Sequence, residues 1–424
     1  MKDIYAILDI GSSTMKLLIG ESVSANINIL YAKKIPSHGI KKGMVEDERL
    51  VVNDILKLIA GAEASLETKI HTVGLNIPAL QTKLYQSDSS ISLGESGAKI
   101  TKDDIIRVLR LSSRFEKSAD EEIVSIIPVK YHSDSGANIE APINQNSRNL
   151  IVDSLIITTN KKILYPYISA VEKAGLGILD ISINAFSCAK EAFDAVYLQE
   201  GALLIDMGYK TSTISFYKDG YLKYLTVSPV GGYGFTRNIA RNMQISMDQA
   251  ETYKIKYGSL DSSLGQEDII HTTRLQDGSI REFTQKDLAD FLQETAYDVM
   301  EKIRDKIVIM DNGNSYETLI VGGGGELAML DAIAEEVLNA PVRVYRPDTI
   351  GARDMSLVSS VGMIYYLRER AKILGDYESS LMLPDVSSTM SVRFKGLTKS
   401  TSKGKEQTTG RRINRFFDSI FNED

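Results

Sequence analysis

Tryptophan is absent from the 424 residues, which by itself decides nothing, and cysteine occurs once, at Cys188. A single thiol excludes an internal disulfide and any cysteine metal site, and it fits a reducing compartment. The four histidines (His38, His71, His132 and His271) are scattered, and no two have the spacing of metal ligands. Long apolar runs are missing too. Nothing approaches the roughly eighteen residues that a membrane-spanning helix needs. The apolar stretch at the N-terminus is cut at Asp9 and is far too short for a signal peptide. Two to three domains are the natural expectation for a chain of this length.

Charge is present in ordinary amount but unevenly placed. The net charge is −7, yet residues 393–415 carry eight Lys/Arg against one acid, Glu406. The last nine residues carry three acids, so residues 1–392 hold −11. An acidic body with a basic tail argues against general nucleic-acid binding by the body and aims the tail at an anionic surface.

One motif occurs twice. Ile4–Leu8 reads as a strand, Asp9-Ile10-Gly11-Ser12-Ser13-Thr14 as a tight turn, and Met15–Ile19 as a second strand. The pattern returns at Ala202–Ile205, Asp206-Met207-Gly208-Tyr209-Lys210-Thr211 and Ser212–Phe216, with Asp, Gly and Thr matched at a constant offset of 197 residues. Each half adds a further strand, and Lys218-Asp219-Gly220 reads as its hairpin turn. Self-similarity at this scale predicts two related lobes. A lone Asp-x-Gly-x-x-Thr is weak, since many hairpins contain one. Two in register, each after an apolar strand, predict a phosphate site. Backbone N–H groups of the Gly11 and Gly208 turns would face a phosphate chain, with Ser12, Ser13, Thr14 and Thr211 adding hydroxyls. Lys16 would add a positive charge unless strand alternation turns it away. Asp9 and Asp206 would then hold Mg²⁺ through its waters. Asp206 is also the sole candidate for activating a water.

Four glycines, Gly322–Gly325, follow the strand pattern Leu319–Val321 and precede an amphipathic stretch, Glu326–Leu338. They are either a tight strand-to-helix turn or bare backbone lying against a base or ribose beside a helix N-terminus. A P-loop is excluded, because Gly-x-x-x-x-Gly-Lys-[Ser/Thr] does not occur. Pro229-Val230-Gly231-Gly232 opens a helical stretch. The next one, Met247–Tyr257, places Glu251 and Lys254 on one face, where a plain surface ion pair is the simpler reading. Other predicted helices are Leu50–Ala64, Asp103–Phe115, Ile163–Ala174 with Gly175 as its C-cap, and more than one helix within Thr284–Met310. Residues 82–160 read as a separate α+β module with strands at Ile123–Val129 and Leu150–Thr158.

Residues 376–410, rich in Ser, Thr, Lys and Gly, predict a flexible linker. Beyond it Ile413, Phe416, Phe417, Ile420 and Phe421 form one apolar stripe at helical spacing, flanked by Arg411, Arg412 and Arg415. This is the pattern of a helix lying in a membrane surface; a groove on a partner protein is the other place it fits. Each basic residue contributes about 1 kcal/mol at an anionic surface, while ordering the helix costs about 1 kcal/mol or more per residue. One copy should bind weakly, and many copies in a polymer firmly.

Asp9–Lys16, Asp206–Thr213, Pro229–Gly232 and Gly322–Gly325 resemble the phosphate and adenosine motifs of the actin, heat-shock chaperone and sugar-kinase superfamily. More narrowly the chain resembles the FtsA family of bacterial cell-division proteins, through Gly39-Ile40-Lys41-Lys42-Gly43, the stretch Ala250–Gly258, the inserted module and the terminal helix. The resemblance implies an α/β, actin-like ATPase fold of two related lobes, with an inserted α+β subdomain in the first lobe. It implies ATP binding and filaments of the chain on the cytoplasmic membrane face at the division site. The expected partners are the C-terminal tail of the tubulin-like FtsZ and other divisome proteins, with no nucleic acid. Glu251 and Lys254 would face the adenosine, and residues around Thr284–Lys306 would belong to the FtsZ-binding subdomain. Gln293-Glu294-Thr295 stands where many relatives have Pro-Arg, Ala141–Asn146 lacks the common glycines, and Glu326 follows the glycine run.

The expected division is 1–81, first lobe; 82–160, inserted subdomain; 161–202, first lobe; 203–350, second lobe, with the small subdomain at about 240–310; 351–375, closing helix region of the first lobe; 376–410, linker; and 411–424, membrane helix. ATP hydrolysis, if any, would be slow. A pilus-assembly adaptor on the same fold is the runner-up. A small-molecule kinase is third, for want of a catalytic Asp aimed at a substrate hydroxyl.

Overall fold

The structure is a computed structural model that describes residues 3–23, 26–263, 268–274, 278–310, 316–374 and 379–381. The expected terminal helix and nearly all of the expected linker lie outside the described residues. Contacts divide the chain into two units. One is built from residues up to Ser187, Thr349–Gly351 and residues from Ser360 on; the other is built from Cys188–Asp348 and Ala352–Ser359. The division thus falls at 187/188, ahead of the 202/203 expected from the repeat, and residues 352–359 belong to the second unit.

In the first unit β1 (Asp3–Ile10), β2 (Thr14–Val23) and β3 (Asn26–Pro36) form an antiparallel meander. Helix α1 (Glu48–Leu66) follows. The Asp47 carboxylate caps its first turn, and Val51, Ile55, Leu58, Ile59 and Ala62 bury one face. Strand β4 (Thr72–Ile77) then pairs parallel to β1 on the side away from β2. The chain next makes the inserted layer: β5 (Lys83–Ser92), α2 (Lys102–Ser112), β6 (Glu121–His132) and β7 (Asn149–Asn160). Its three strands are antiparallel in the order β5-β7-β6, and Ile105, Val108 and Leu109 of α2 share their core with Ile91, Leu150 and Val152. Helix α2 ends at Ser112, short of the expected Phe115, whose ring packs on Tyr85 at 4.7 Å. By its contacts the inserted layer clusters with the first unit, as expected of a subdomain of the first lobe. Helix α3 (Lys161–Lys173) ends before Gly175, and β8 (Gly177–Ile183) completes a five-stranded sheet of order β8-β4-β1-β2-β3. β1 is buried on both faces from Ile4 to Ile10, the pattern of a central strand.

Helix α4 (Asn184–Ala192) leads to α5 (Ala195–Glu200) and the second unit. Here β9 (Ala202–Met207), β10 (Ser212–Lys218) and β11 (Tyr221–Ser228) repeat the meander. Asp219 (φ 56°) and Gly220 (φ 79°) make the β10–β11 turn, both in the left-handed region that a two-residue hairpin loop requires. Then come α6 (Gly232–Met243), α7 (Met247–Tyr257), the hairpin β12 (Ile269–Arg274) and β13 (Ile280–Thr284), α8 (Gln285–Met310), β14 (Glu317–Val321), α9 (Leu330–Leu338) and β15 (Val342–Val344). The sheet order is β15-β14-β9-β10-β11. Each unit therefore has the same plan: an antiparallel meander followed by two parallel strands added beyond its first. Helix α10 (Val358–Leu374) closes the fold.

Three expectations need correction. Residues 285–310 form one helix, because Leu288, Leu292, Ala296, Val299, Met300 and Ile303 keep a single buried stripe with no Gly or Pro to break it. The helix expected from Glu326 begins at Leu330, since Met329 takes a left-handed turn conformation (φ 67°). Residues 379–381, expected in the linker, are docked on the first sheet. Ser380 N–H donates to Ile4 O (2.7 Å), Ala6 N–H to Ser380 Oγ (3.0 Å) and His71 N–H to Ser380 O (3.2 Å). Ser380 and Leu381 are buried. Among the described residues, no helix is long and apolar enough to cross a membrane.

Candidate functional site

In the first unit the β1–β2 register sets Asp9 directly opposite Lys16. Lys16 therefore does not point away: its Nζ donates to Asp9 Oδ2 at 3.0 Å, with Asp9 fully buried and Lys16 nearly so. Gly11 N–H closes the turn on Thr14 O (3.1 Å), and Ser13 O accepts from Ser37 N–H (2.8 Å). Ser12, Ser13 and Thr14 are partly exposed. On the other side of Asp9 stands Asn184, the first residue of α4, its Nδ2 3.5 Å from Asp9 Oδ1.

The second unit repeats the turn. Gly208 N–H closes on Thr211 O (3.0 Å). In both turns the glycine N–H is thus engaged inside the turn, so Gly11 and Gly208 shape the loops and are not the donors expected from them. Where β2 has Lys16, β10 has Thr213 opposite Asp206. The second carboxylate has no lysine across the strand pair.

Two glycine segments, Gly231–Gly232 and Gly322–Gly325, meet on this second turn. Gly232 N–H donates to Gly208 O (3.0 Å). A Cβ on Gly231 would stand 2.5 Å from Gly208 O, and one on Gly324 would stand 2.5 Å from the same oxygen. Gly322–Gly325 close into a single short turn, with Gly325 N–H on Gly322 O (3.0 Å), and the Asp206 carboxylate lies against Gly322. Gly323 is exposed and Gly324 half-buried, so flat backbone faces outward there. A helix N-terminus does not stand directly behind the glycines, as one reading of the sequence had it, because α9 starts five residues past Gly325.

Beside this platform Glu251 and Lys254 form more than a surface pair. Lys254 Nζ donates to Glu251 Oε2 (2.8 Å), Thr236 Oγ1 (2.9 Å) and Gly232 O (3.2 Å). Thr236 Oγ1 also donates to Glu251 Oε2, leaving Oε1 for another hydroxyl. Burial holds the Lys254 ammonium below its ordinary pKa, and Glu251 opposes that fall. Thr236, Asn184 and Ser356, whose buried Oγ lacks a partner near Gly323, were missed by the sequence reading. Asn184 was findable in principle: it is the first residue past a parallel strand, where open α/β sheets hold ligands.

Within the first unit Asp9 Oδ1 and Asn184 Oδ1, and separately within the second the Asp206 carboxylate, are acceptors that suit the waters of a hydrated cation better than the bare ion, since waters donate. Direct ligation suits Asp9 poorly, because the Lys16 ammonium already faces its carboxylate. Among the described residues no three His, Cys, Asp or Glu side chains cluster as a metal cage.

One carboxyl outside both turns is strongly perturbed. Burial pushes Glu191 up to about 7, and Asp348 adds repulsion, while a hydrogen bond from Tyr345 (3.1 Å) offsets part of this. The folded state thus keeps a proton that the unfolded chain, with the ordinary value near 4.5, has lost. Stability of the second unit should fall as pH rises from about 4.5 to about 7, by on the order of 2–3 kcal/mol, and then level off. Thermal melting between pH 5 and pH 8 checks this. In Glu191→Gln the fall should vanish; a parallel fall in both proteins would assign it to other groups.

Two family models match. "Cell division protein FtsA" covers residues 203–362 and "SHS2 domain inserted in FTSA" covers 80–158, together more than half of the chain. The chain is 27% identical over 380 residues to the "Cell division protein FtsA" of Bacillus subtilis, covering 88% of this chain and 85% of that one. It is 27% identical over 379 residues to the protein of that name from Buchnera aphidicola (85% and 90%), and 21% over 404 residues to that of Streptococcus pneumoniae (95% and 88%). Among solved structures, the "PilM-PilN type IV pilus biogenesis complex" is similar with TM-score 0.57 at 16% identity, covering 86% of this chain and 98% of that one. MreB5 of Spiroplasma citri, solved bound to ADP, is similar with TM-score 0.51 at 12% identity (88% and 98%). At these identities the structural likeness shows an actin-like fold and no more.

Proposed function

Because the chain belongs to the FtsA family of cell-division proteins, we propose that it binds ATP with Mg²⁺ and assembles into filaments that tether FtsZ to the cytoplasmic membrane face at the division site. The observation that carries the nucleotide reading is the repeat itself. Two sheets of identical strand order each end their first hairpin in Asp-x-Gly-x-x-Thr. The ADP in the MreB5 structure supports it by analogy of fold.

Each unit would offer its turn to the phosphate chain: Ser12, Ser13 and Thr14 in the first, Thr211 in the second. The bare backbone of Gly231–Gly232 and Gly322–Gly325 would let the nucleoside lie close, and Glu251 Oε1 would accept from a ribose hydroxyl. Lys254 holds Glu251 in place for that. Mg²⁺, when bound, would offset phosphate charge, with Asp9 and Asp206 accepting from its waters. Lys16 holds the Asp9 carboxylate in its orientation. Asp206 is the one candidate for activating a water, and turnover would be slow, so that nucleotide acts chiefly as an assembly switch. Partners would be the FtsZ C-terminal tail on residues 240–310, further copies of the chain, other division proteins and anionic lipid.

Sedimentation with anionic vesicles tests the tethered-filament reading. The full chain with ATP and Mg²⁺ should pellet with vesicles and show filaments by electron microscopy. A chain ending at residue 405 should lose most vesicle binding, by about tenfold or more given avidity through many weak helices. Equal pelleting of both chains, or no filaments in either, would sink it. The pilus-adaptor reading has the fold alone in its favour.

A further inference from the structure

The outer strand of the inserted layer differs from every other edge of the three larger sheets. Natural proteins guard such edges, because a row of open N–H and C=O groups invites another strand. Among the described residues the five other edges are guarded. β15 is three residues long. β3 carries Lys33 and Lys34 and a break in its pairing register, and β11 carries Lys223 and another break. β8 has a break and turns Asp180 inward, where it is buried. β6 has two breaks and is tied to β8 by Ser125 Oγ, which donates to Ile181 O.

β5 has none of these devices. It runs ten residues, Lys83–Ser92, and pairs without a break to β7. Beyond Lys83 its only charge is Asp88, and it holds no proline. In an antiparallel pair every second residue turns both backbone groups away from its partner. Between residues 84 and 91, among the described residues, nothing bonds to that outer row. Gln86, Asp88 and Ser90 are exposed on one face of the strand. On the other face Tyr85 packs on Phe115, and Ile91 joins the core under α2.

We infer that β5 is a docking edge for a second copy of this chain, the two β5 strands pairing antiparallel about a two-fold axis at Ser87. The strand is complementary to itself. A two-fold axis perpendicular to the sheet keeps each side chain on its own face, so residues at equal distance from the axis come opposite each other. With Ser87 on the axis, Gln86 lies opposite Asp88 of the second copy, and Asp88 opposite its Gln86. Each carboxylate thus meets an amide donor. Tyr85 lies opposite Ser89, Leu84 opposite Ser90 and Lys83 opposite Ile91, so like charges nowhere meet. Moving the axis one residue, to Asp88, would set two carboxylates face to face. The contact is one strand wide, smaller than a standard stable interface, and therefore weak. It gains strength where copies are already gathered. It needs neither nucleotide nor membrane, so it can fail while the tethered-filament reading stands, and the reverse.

The test is sedimentation velocity on the full chain, without nucleotide or lipid, from about 1 to about 200 µM, the range in which a small interface shows. Wild type should pass from monomer to dimer. Gln86→Glu, an isostere at an exposed position, sets carboxylates opposite one another twice and should weaken dimerisation about tenfold. Adding Asp88→Lys to the same chain restores opposite charges and should recover the association. Register is read by oxidative cross-linking of two single variants, Leu84→Cys and Ser90→Cys. Mixed, they should form disulfide dimers, because the two positions lie opposite each other. Either one alone keeps its thiols about 20 Å apart and should not link. The native thiol, Cys188, is buried and stays in place.

A wild type that remains monomeric throughout overturns the proposal and leaves the edge to a strand from a different protein. A dimer that Gln86→Glu does not weaken overturns it too. So does cross-linking of either cysteine variant alone as readily as the mixture, which marks unspecific contact. Should Gln86→Glu fail to fold, as its melting temperature would show, the mixed cysteine pair decides, absence of the mixed dimer overturning the proposal.

Discussion

Lys16→Met should destabilise the first unit by about 3–5 kcal/mol, the cost of removing one partner from a buried charge pair. Asp9 is fully buried on the central strand of its sheet, and the Lys16 ammonium faces it across the β1–β2 pair at 3.0 Å. Methionine keeps the length and most of the apolar stem of lysine, so little packing is lost. What goes is the positive charge, in a place where water cannot replace it. Adding Asp9→Asn to the same chain should restore most of the stability, because a neutral amide of the same shape needs no counter-charge. Urea unfolding with hydrogen exchange followed on peptides covering residues 3–23 reports the right unit. A loss below about 1 kcal/mol in Lys16→Met, or no recovery in the double variant, would show that the carboxylate is satisfied by other means. Buried ion pairs can often be replaced by apolar residues at no cost. A carboxylate placed here is therefore poorly explained by stability, and better explained by use.

Gly322→Ala should damage the second unit in two ways at once. Its backbone (φ 87°, ψ 152°) lies in a region open in practice only to glycine, which alone costs about 1–3 kcal/mol. A Cβ there would also stand 2.5 Å from Asp206 Oδ1 and 2.6 Å from Met207 O. The carboxylate is the softer neighbour and would be pushed off its position. Nucleotide affinity should then fall roughly 30–100-fold, the equivalent of about 2–3 kcal/mol. Gly323→Ala is the internal control: its Cβ would meet only the Ser356 Cβ, at an ordinary 3.5 Å. Thermal melting and ATP titration of both variants give the comparison. Equal losses at the two positions would mean that the whole glycine run is fragile and that Asp206 is not specifically displaced.

The repeat was the most legible part of this chain. Asp9, Gly11 and Thr14 reappear 197 residues on, and the two sheets that carry them have the same strand order. Hairpin turns and apolar strands are local features, and local features can be read from neighbours in sequence. The direction of Lys16 could not be read, because it depends on cross-strand register. Nor could the roles of the turn glycines, whose N–H groups face inward; composition marks a turn without saying which of its donors are engaged. The 285–310 stretch was read as more than one helix, although its buried stripe runs on without a break. Asn184 lay in no motif, and its place depends on two strands and a helix that meet only in the fold. Ser379–Leu381 had nothing to announce it, because three residues are too few to show a period and serine-rich composition resembles linker.

That small clip has a mechanical meaning. Ser380 is bonded to Ile4 and Ala6, near the start of β1, and the same strand carries Asp9 next to its last residue. From Ile4 to Asp9 is five residues of extended chain, about 17 Å. Any tension on the chain beyond Leu381 enters the fold at the head of the strand whose far end carries the first carboxylate. A pull along the chain and the occupancy of that turn would act on one and the same strand.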